Sequence, residues 1–214
     1  MSNKNNHKKQ LAGKLIALVL VPLICVGGVH ALSVHETSLR NTLQSHTTQI
    51  TIAENFAEDS TISPGETVIK EVRFKNEGSS PAFLRVAYIE TFERVSGYGE
   101  WLVNDSQNTN VTKNWTDEWT EDWIHIEGWY YYKKVLPASG ITDLIMESVS
   151  FASVLDPNFA GANYEIDFIA EAVQLSDEEG VNTNATKTVF GKSATVMDAV
   201  TDNGAVISGT VKWS

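Results

Sequence analysis

The chain has 214 residues, with 16 basic side chains against 27 acidic ones and a formal charge of −11. So acidic a balance repels phosphate backbones and argues against nucleic acid as a partner. The single cysteine, Cys25, excludes a disulfide framework, and the length allows one domain with a sizeable core.

Lys4, Lys8, Lys9 and Lys14 surround the start of the chain, and an apolar run over 15–28 follows. Val29, His30 and Ala31 then place small or branched residues where a signal peptidase reads. This is the layout of a secretory signal peptide, 1–31, cleaved after Ala31. A bilayer span needs about 20 apolar residues. The run here is shorter, holds Pro22 and ends in Gly27 and Gly28, so release is expected rather than anchoring. Ile24 is too large to precede a lipoprotein cysteine at Cys25. Without the leader's four lysines, 12 basic residues face 27 acidic ones, a charge of −15. An exported domain without disulfides relies on its packed core.

Residues 32–48 form a polar arm free of proline and glycine, with Leu32, Val34, Leu39 and Leu43 as its apolar members. From residue 49 almost every segment reads as strand. Residues 49–54 alternate through Ile50 and Ile52, and 67–75 alternate again with a slip at Ile69. Pro64 and Gly65 turn the chain between them, and a second turn spans 76–81. Residues 82–92 make a long strand of branched and aromatic side chains. The stretch 93–114, with Gly97, Gly99, Asn104, Asp105, Asn108 and Asn110, reads as a loop with one short strand near Trp101. A hairpin over 123–136 turns at Glu127 and Gly128, and strands are expected over 142–151 and 164–174. Residues 181–200 space Val189, Phe190, Ala194, Val196, Met197 and Val200 as a helix or an irregular cover. Asp202, Asn203 and Gly204 signal a turn before a closing strand over 205–213. Seven to nine strands at such intervals predict an all-β, antiparallel β-sandwich over 49–214, with one or two short helices in its loops.

Trp115, Trp119 and Trp123 recur every fourth residue, among Asp117, Glu118, Glu121 and Asp122. On a short helix this spacing makes one aromatic stripe, capped by Asn114 or Thr112 with Asp117 or Glu118 in its first turn. An exposed stripe is an aromatic platform for sugar rings. A buried one is core packing, the preferred reading for large, regularly spaced aromatics. Tyr130 and Tyr132 are expected on the opposite side of a strand from Tyr131.

Catalytic chemistry finds little footing. A helical zinc hydrolase needs His-Glu-x-x-His, but His35 and Glu36 are followed by Leu39. The acids at 117–122, 177–179 and 202 do not match a calcium loop. There is no Gly-x-Ser-x-Gly elbow to seat a nucleophile. No enzyme and no cofactor is expected. The chain ends Val211, Lys212, Trp213, Ser214, with no sortase signal.

Several stretches together carry a family likeness. They are 27–43 leading into Ile50, Ile52 and Glu54; Ser63, Pro64, Gly65, Glu66 and Thr67 with Lys75, Asn76, Glu77, Gly78, Arg85 and Val86; Gly128 and Trp129 through Pro137; and 170–174. In this order, over residues 10–175, they resemble the TasA/camelysin group of exported Gram-positive proteins processed by the SipW class of signal peptidase. The resemblance implies a jelly-roll-type sandwich, secreted to the extracellular matrix or cell surface as a subunit of biofilm fibres. The implied partners are other copies of itself, the signal peptidase during export, and a matrix polysaccharide or an accessory fibre protein. It also implies that an N-terminal segment adds as a strand to the next subunit, which here points to 32–48 as donor. Main-chain hydrogen bonds at an open edge permit this, and a self-folded arm is the competing reading. A carbohydrate-binding module and a camelysin-like metalloprotease are the alternative functions.

Overall fold

A computed structural model describes residues 49–56, 62–94, 100–102, 110–154, 162–177, 180–181 and 183–214. The leader and the arm with Leu32, Val34, Leu39 and Leu43 lie outside these residues.

In chain order the strands begin with β1 (Ile50–Phe56), β2 (Thr67–Asn76), β3 (Ala82–Arg94), β4 (Glu100–Leu102) and β5 (Val111–Trp115). Helix α1 (Asp117–Glu121) leads into β6 (Trp123–Ile126), β7 (Trp129–Tyr132), β8 (Met146–Phe151) and β9 (Ala162–Gln174). The minimal pair β10 (Ser176–Asp177) and β11 (Gly180–Val181) precedes helix α2 (Thr183–Phe190), and β12 (Ala194–Asp202) and β13 (Ala205–Trp213) close the chain.

The molecule is the expected all-β antiparallel sandwich with short helices in its connections. One sheet runs β1-β2-β8-β5. In the other, β3 pairs with β9 along its whole length, from Ala82 opposite Gln174 to Arg94 opposite Ala162. The far edge of β3 is shared end to end by β7, through Arg85 and Val86, and by β4, through 91–93. β6 then pairs with β7.

Strand alternation decides which side chains meet between the sheets. Val72 and Phe74 of β2, Leu84, Val86 and Phe92 of β3, and Tyr164, Ile166 and Phe168 of β9 are buried there. The ring of Phe74 meets Phe168 edge-on at 6.0 Å and Trp123 at 5.8 Å. The opposite phase of β3, β7 and β9 points to the back of the second sheet. There Phe83, Tyr131 and Val173 join Leu175, Phe190, Ala194, Val211 and Trp213 in a second cluster, covered by α2 and the base of the β12–β13 hairpin.

Four details differ from the sequence reading. β5 takes up the end of the stretch 93–114 expected to be a loop and runs on to Trp115. The expected strand over 142–151 begins only at Met146. The spaced apolar residues of 181–200 divide into α2 and β12, because Gly191 takes φ 70 and its N–H donates to Lys187 O, ending the helix. Helix α1 is shorter than the tryptophan stripe, and its N-cap is Thr116, not Asn114 or Thr112. The Thr116 hydroxyl donates to Leu144 O at 2.5 Å instead of capping.

Candidate functional site

The tryptophan stripe is carried by three elements and turned inward. Trp115 ends β5, Trp119 sits on α1 and Trp123 opens β6. Trp119 and Trp123 are 6% and 4% exposed, and Trp115 is half-buried. Trp115 stacks on Trp119 with centroids 4.8 Å apart and planes 14° apart, while Tyr88 lies 5.2 Å from Trp115. Trp119 in turn packs on Tyr130 at 4.2 Å. The rings present their faces to one another, so they do not form a stacking platform for a sugar. As strand alternation requires, Tyr130 and Tyr132 pack with the inter-sheet core and Tyr131 with the rear cluster.

A shallow groove of about 700 Å³ runs beside the edge of Trp115, lined among others by Arg73, Asp117, Glu118, Asp143 and Glu147. Four carboxylates against one guanidinium make it strongly acidic. Nearby, Lys134 Nζ lies 2.6 Å from Asp122 and 3.6 Å from Asp143. Burial works to lower the lysine's pKa, but the hydrogen bond and charge of Asp122, with Asp143, outweigh it and raise it. Burial, helped by the same two carboxylates, pushes the Tyr132 hydroxyl upward as well.

Charge also enters the sandwich. Lys113 of β5 and Glu90 of β3 meet across the two sheets at 2.7 Å, their side chains 7% and 1% exposed. The Tyr164 hydroxyl donates to the other Glu90 oxygen at 2.8 Å. At the opposite side of the sandwich, buried Lys70 of β2 holds Glu54 of β1 at 3.1 Å. The second oxygen of Glu54 and Oδ1 of Asp167 on β9 are buried without a hydrogen-bond partner. Burial first, then the charge and hydrogen bond of Glu165 and the charge of Glu54, raise Asp167 to about 7 against the opposing pull of Lys70. The edges of β1 and β9 therefore face each other across a charged seam.

Arg85 fastens the rear cover. Its guanidinium lies 4.1 Å from the Trp129 ring centre and 4.5 Å from that of Phe190. It reaches Glu171 at 2.5 Å and donates to the Phe190 carbonyl at 3.0 Å and the Val189 carbonyl at 3.4 Å, satisfying the C-terminus of α2. On the front of the first sheet, the Asn114 amide donates to the Ser148 and Ser150 hydroxyls at 2.9 and 2.8 Å. Ser150 then meets Thr67 at 2.8 Å.

Among the described residues, β1, β5, β6 and β9 each have a partner strand on one side only. Such edges are templates for another strand. No group of three or more His, Cys, Asp or Glu among the described residues is placed to hold a metal ion. His125 stacks on Tyr130 at 4.5 Å, and His35 and His46 lie outside the described residues. No helix among the described residues is long and apolar enough to cross a membrane. Sequence reasoning missed Glu90, Lys113 and Arg85. Their only signal is a charged residue in the buried phase of a strand, or one flanked by aromatics, and neither can be read before the register is known.

No protein-family model matches this chain. No curated protein matches it. Among solved structures, the ASH/PapD-like domain of human CEP192 (PapD-like domain 7) is similar to it at a TM-score of 0.30 and 11% identity, over 64% of this chain and 92% of that one. A likeness at that level carries no argument about function.

Proposed function

We propose that this protein is a secreted structural subunit of an extracellular matrix fibre, of the TasA/camelysin kind. Residues 32–48 would be given as a strand to the next subunit. The observation that carries this reading is the position of β1. Among the described residues it is the first strand and an edge strand, and it starts at Ile50, two residues after the donor segment ends. A segment attached there leaves the fold at the margin of a sheet, free to reach a neighbouring subunit, and head-to-tail repetition of one such contact builds an open filament. The inward tryptophans support the same reading against a carbohydrate module. Electron microscopy of the chain from Leu32 onward tests it. Filaments are expected, and replacing Leu39 and Leu43 together by Asp should abolish them while the far-ultraviolet circular dichroism stays that of a β protein. Filaments unchanged by that replacement would remove the donor role.

A further inference from the structure

The β12–β13 hairpin is anchored at its base and bare beyond it. At the base, Ala194, Val211 and Trp213 are buried in the rear cluster. The Val135 N–H donates to Gly209 O and the Val211 N–H to Lys133 O. From Thr195 to Thr210 no residue is buried, and Met197, Val200 and Ile207 are 41%, 54% and 39% exposed. A two-stranded hairpin is only marginally stable in water, and a third strand changes that. The outer edge of β13 is taken at its base by 133–135, whereas β12 has no strand on its outer edge among the described residues.

The direction of this arm is fixed by its anchor. Thr210 is the antiparallel partner of Lys134, so the hairpin beyond Gly209 runs the way the chain runs from Lys133 toward Leu136. Leu136 pairs with Ala82 at the start of β3, and the Asn76 amide donates to Pro137 O at 3.0 Å. Asn76 lies opposite Ile50, the first residue of β1, and Gln49 O accepts the Glu77 N–H. The arm therefore leaves the body at the end where the chain enters β1. The chain comes inward there, while β12 runs outward, so the two are antiparallel.

The 17 residues of 32–48 suit that edge. Extended, they reach about 55–60 Å, against about 30 Å for a nine-residue strand. From Thr195 to Val211 the arm has Asp198 and Asp202 and no cation, while 32–48 offers Arg40, His35 and His46 against one acid, Glu36. Leu39 and Leu43 match its exposed aliphatics. The β9 edge is the poorer acceptor, because β1 faces it across the charged seam.

We propose that residues 32–48 pair antiparallel along the open edge of β12 in the same chain, making the arm three-stranded. The tether favours the chain's own segment over a neighbour's, by an effective concentration in the millimolar range. The inference goes beyond the fibre reading and holds for a single chain. Where fibres form, the segment has to leave its own arm first.

Because Cys25 is the only cysteine, the chain from Leu32 onward takes one nitroxide at Val200→Cys, or at Thr201→Cys should the first variant misfold. In dilute solution the amide signals of 39–46 should weaken several-fold. They should keep full intensity when isotope-labelled chain without nitroxide is mixed with unlabelled chain carrying it. Weakening in the mixture as well, to the extent that the fraction of nitroxide-bearing chains sets, would assign the arm to a neighbour's segment and overturn the proposal. Weakening from a nitroxide at Ile169→Cys on β9, but not from β12, would overturn it too, as would no weakening at all. Micrographs of the same samples report on the fibre reading separately.

Discussion

The inter-sheet core and the rear cluster are built from the same kinds of side chain but closed in different ways. The first is enclosed by two sheets, and one of its internal charge pairs, Glu90–Lys113, ties one sheet to the other with Tyr164 bonded to the same carboxylate. The second lies on the back of one sheet, under a helix of eight residues and the foot of a hairpin. Its charge, Arg85, sits at the rim, between aromatic faces and helix carbonyls. A buried pair joins layers that cannot separate without unfolding, whereas a rim cation fastens a cover that can lift while the sandwich stays intact.

The sharpest break in this comparison is Glu90→Ala. It takes a buried carboxylate away from the Lys113 ammonium and is expected to cost about 4 kcal/mol, read as one cooperative loss in urea unfolding. Replacing all three members by apolar residues (Glu90→Leu, Lys113→Met, Tyr164→Phe) should recover most of that loss. A triple variant as unstable as the single one would show that the pair does more than satisfy itself. Next comes Trp213→Ala, at about 3 kcal/mol, with the loss of the indole N–H bond to Tyr132 O. Amide exchange should accelerate in α2, β12 and β13 while β3 and β9 keep their protection. Uniform acceleration would mean that the two clusters fold as one unit.

Arg85→Lys keeps the charge but loses the planar fork. About 2 kcal/mol is expected, seen as faster exchange at the C-terminal end of α2 alone. The smallest effect is at the seam. The folded pKa of Asp167, about 7, lies above the ordinary carboxylate value near 3.9, so the folded state holds the proton more tightly. The stability this contributes is full below about pH 4 and falls as pH rises toward 7. Asp167→Asn should flatten that decline and raise stability at pH 8 by about 1 kcal/mol, a figure reduced for the group's partial exposure. Urea midpoints at pH 5 and pH 8 read it directly.

Legibility in the sequence follows the same division. β1 and β2 stand out by their alternation, and β3 by its run of branched and aromatic side chains, which feed the inter-sheet core on one face and, through Phe83, the rear cluster on the other. The hairpin turns are legible because Glu127 and Gly128, and Asn203 and Gly204, take the positive φ values such turns require, 52 and 84 and then 48 and 85. β5 is hidden because Lys113 occupies its core-facing phase, and a lysine flanked by Thr112 and Asn114 looks solvated until Glu90 is known to lie opposite. β12 is hidden because a register shift follows Met197 and Asp198 takes φ 51, which breaks its alternation. The shift also demands Gly209, whose added Cβ would lie 2.7 Å from Val196 Cγ1 and 2.9 Å from Met197 O. The tryptophan spacing is legible as a stripe, but its division among a strand, a helix and a second strand depends on contacts distant in sequence.

The Asn114, Ser148, Ser150 and Thr67 contacts on the front sheet carry a mechanical consequence. They run sideways across β5, β8 and β2, in addition to the main-chain ladder. A pull that slides one strand past its neighbour has to rupture these side-chain rivets together with the ladder. That face is consequently stiffer under tension than its main-chain pairing alone would make it, and load entering through β1 reaches it by way of β2.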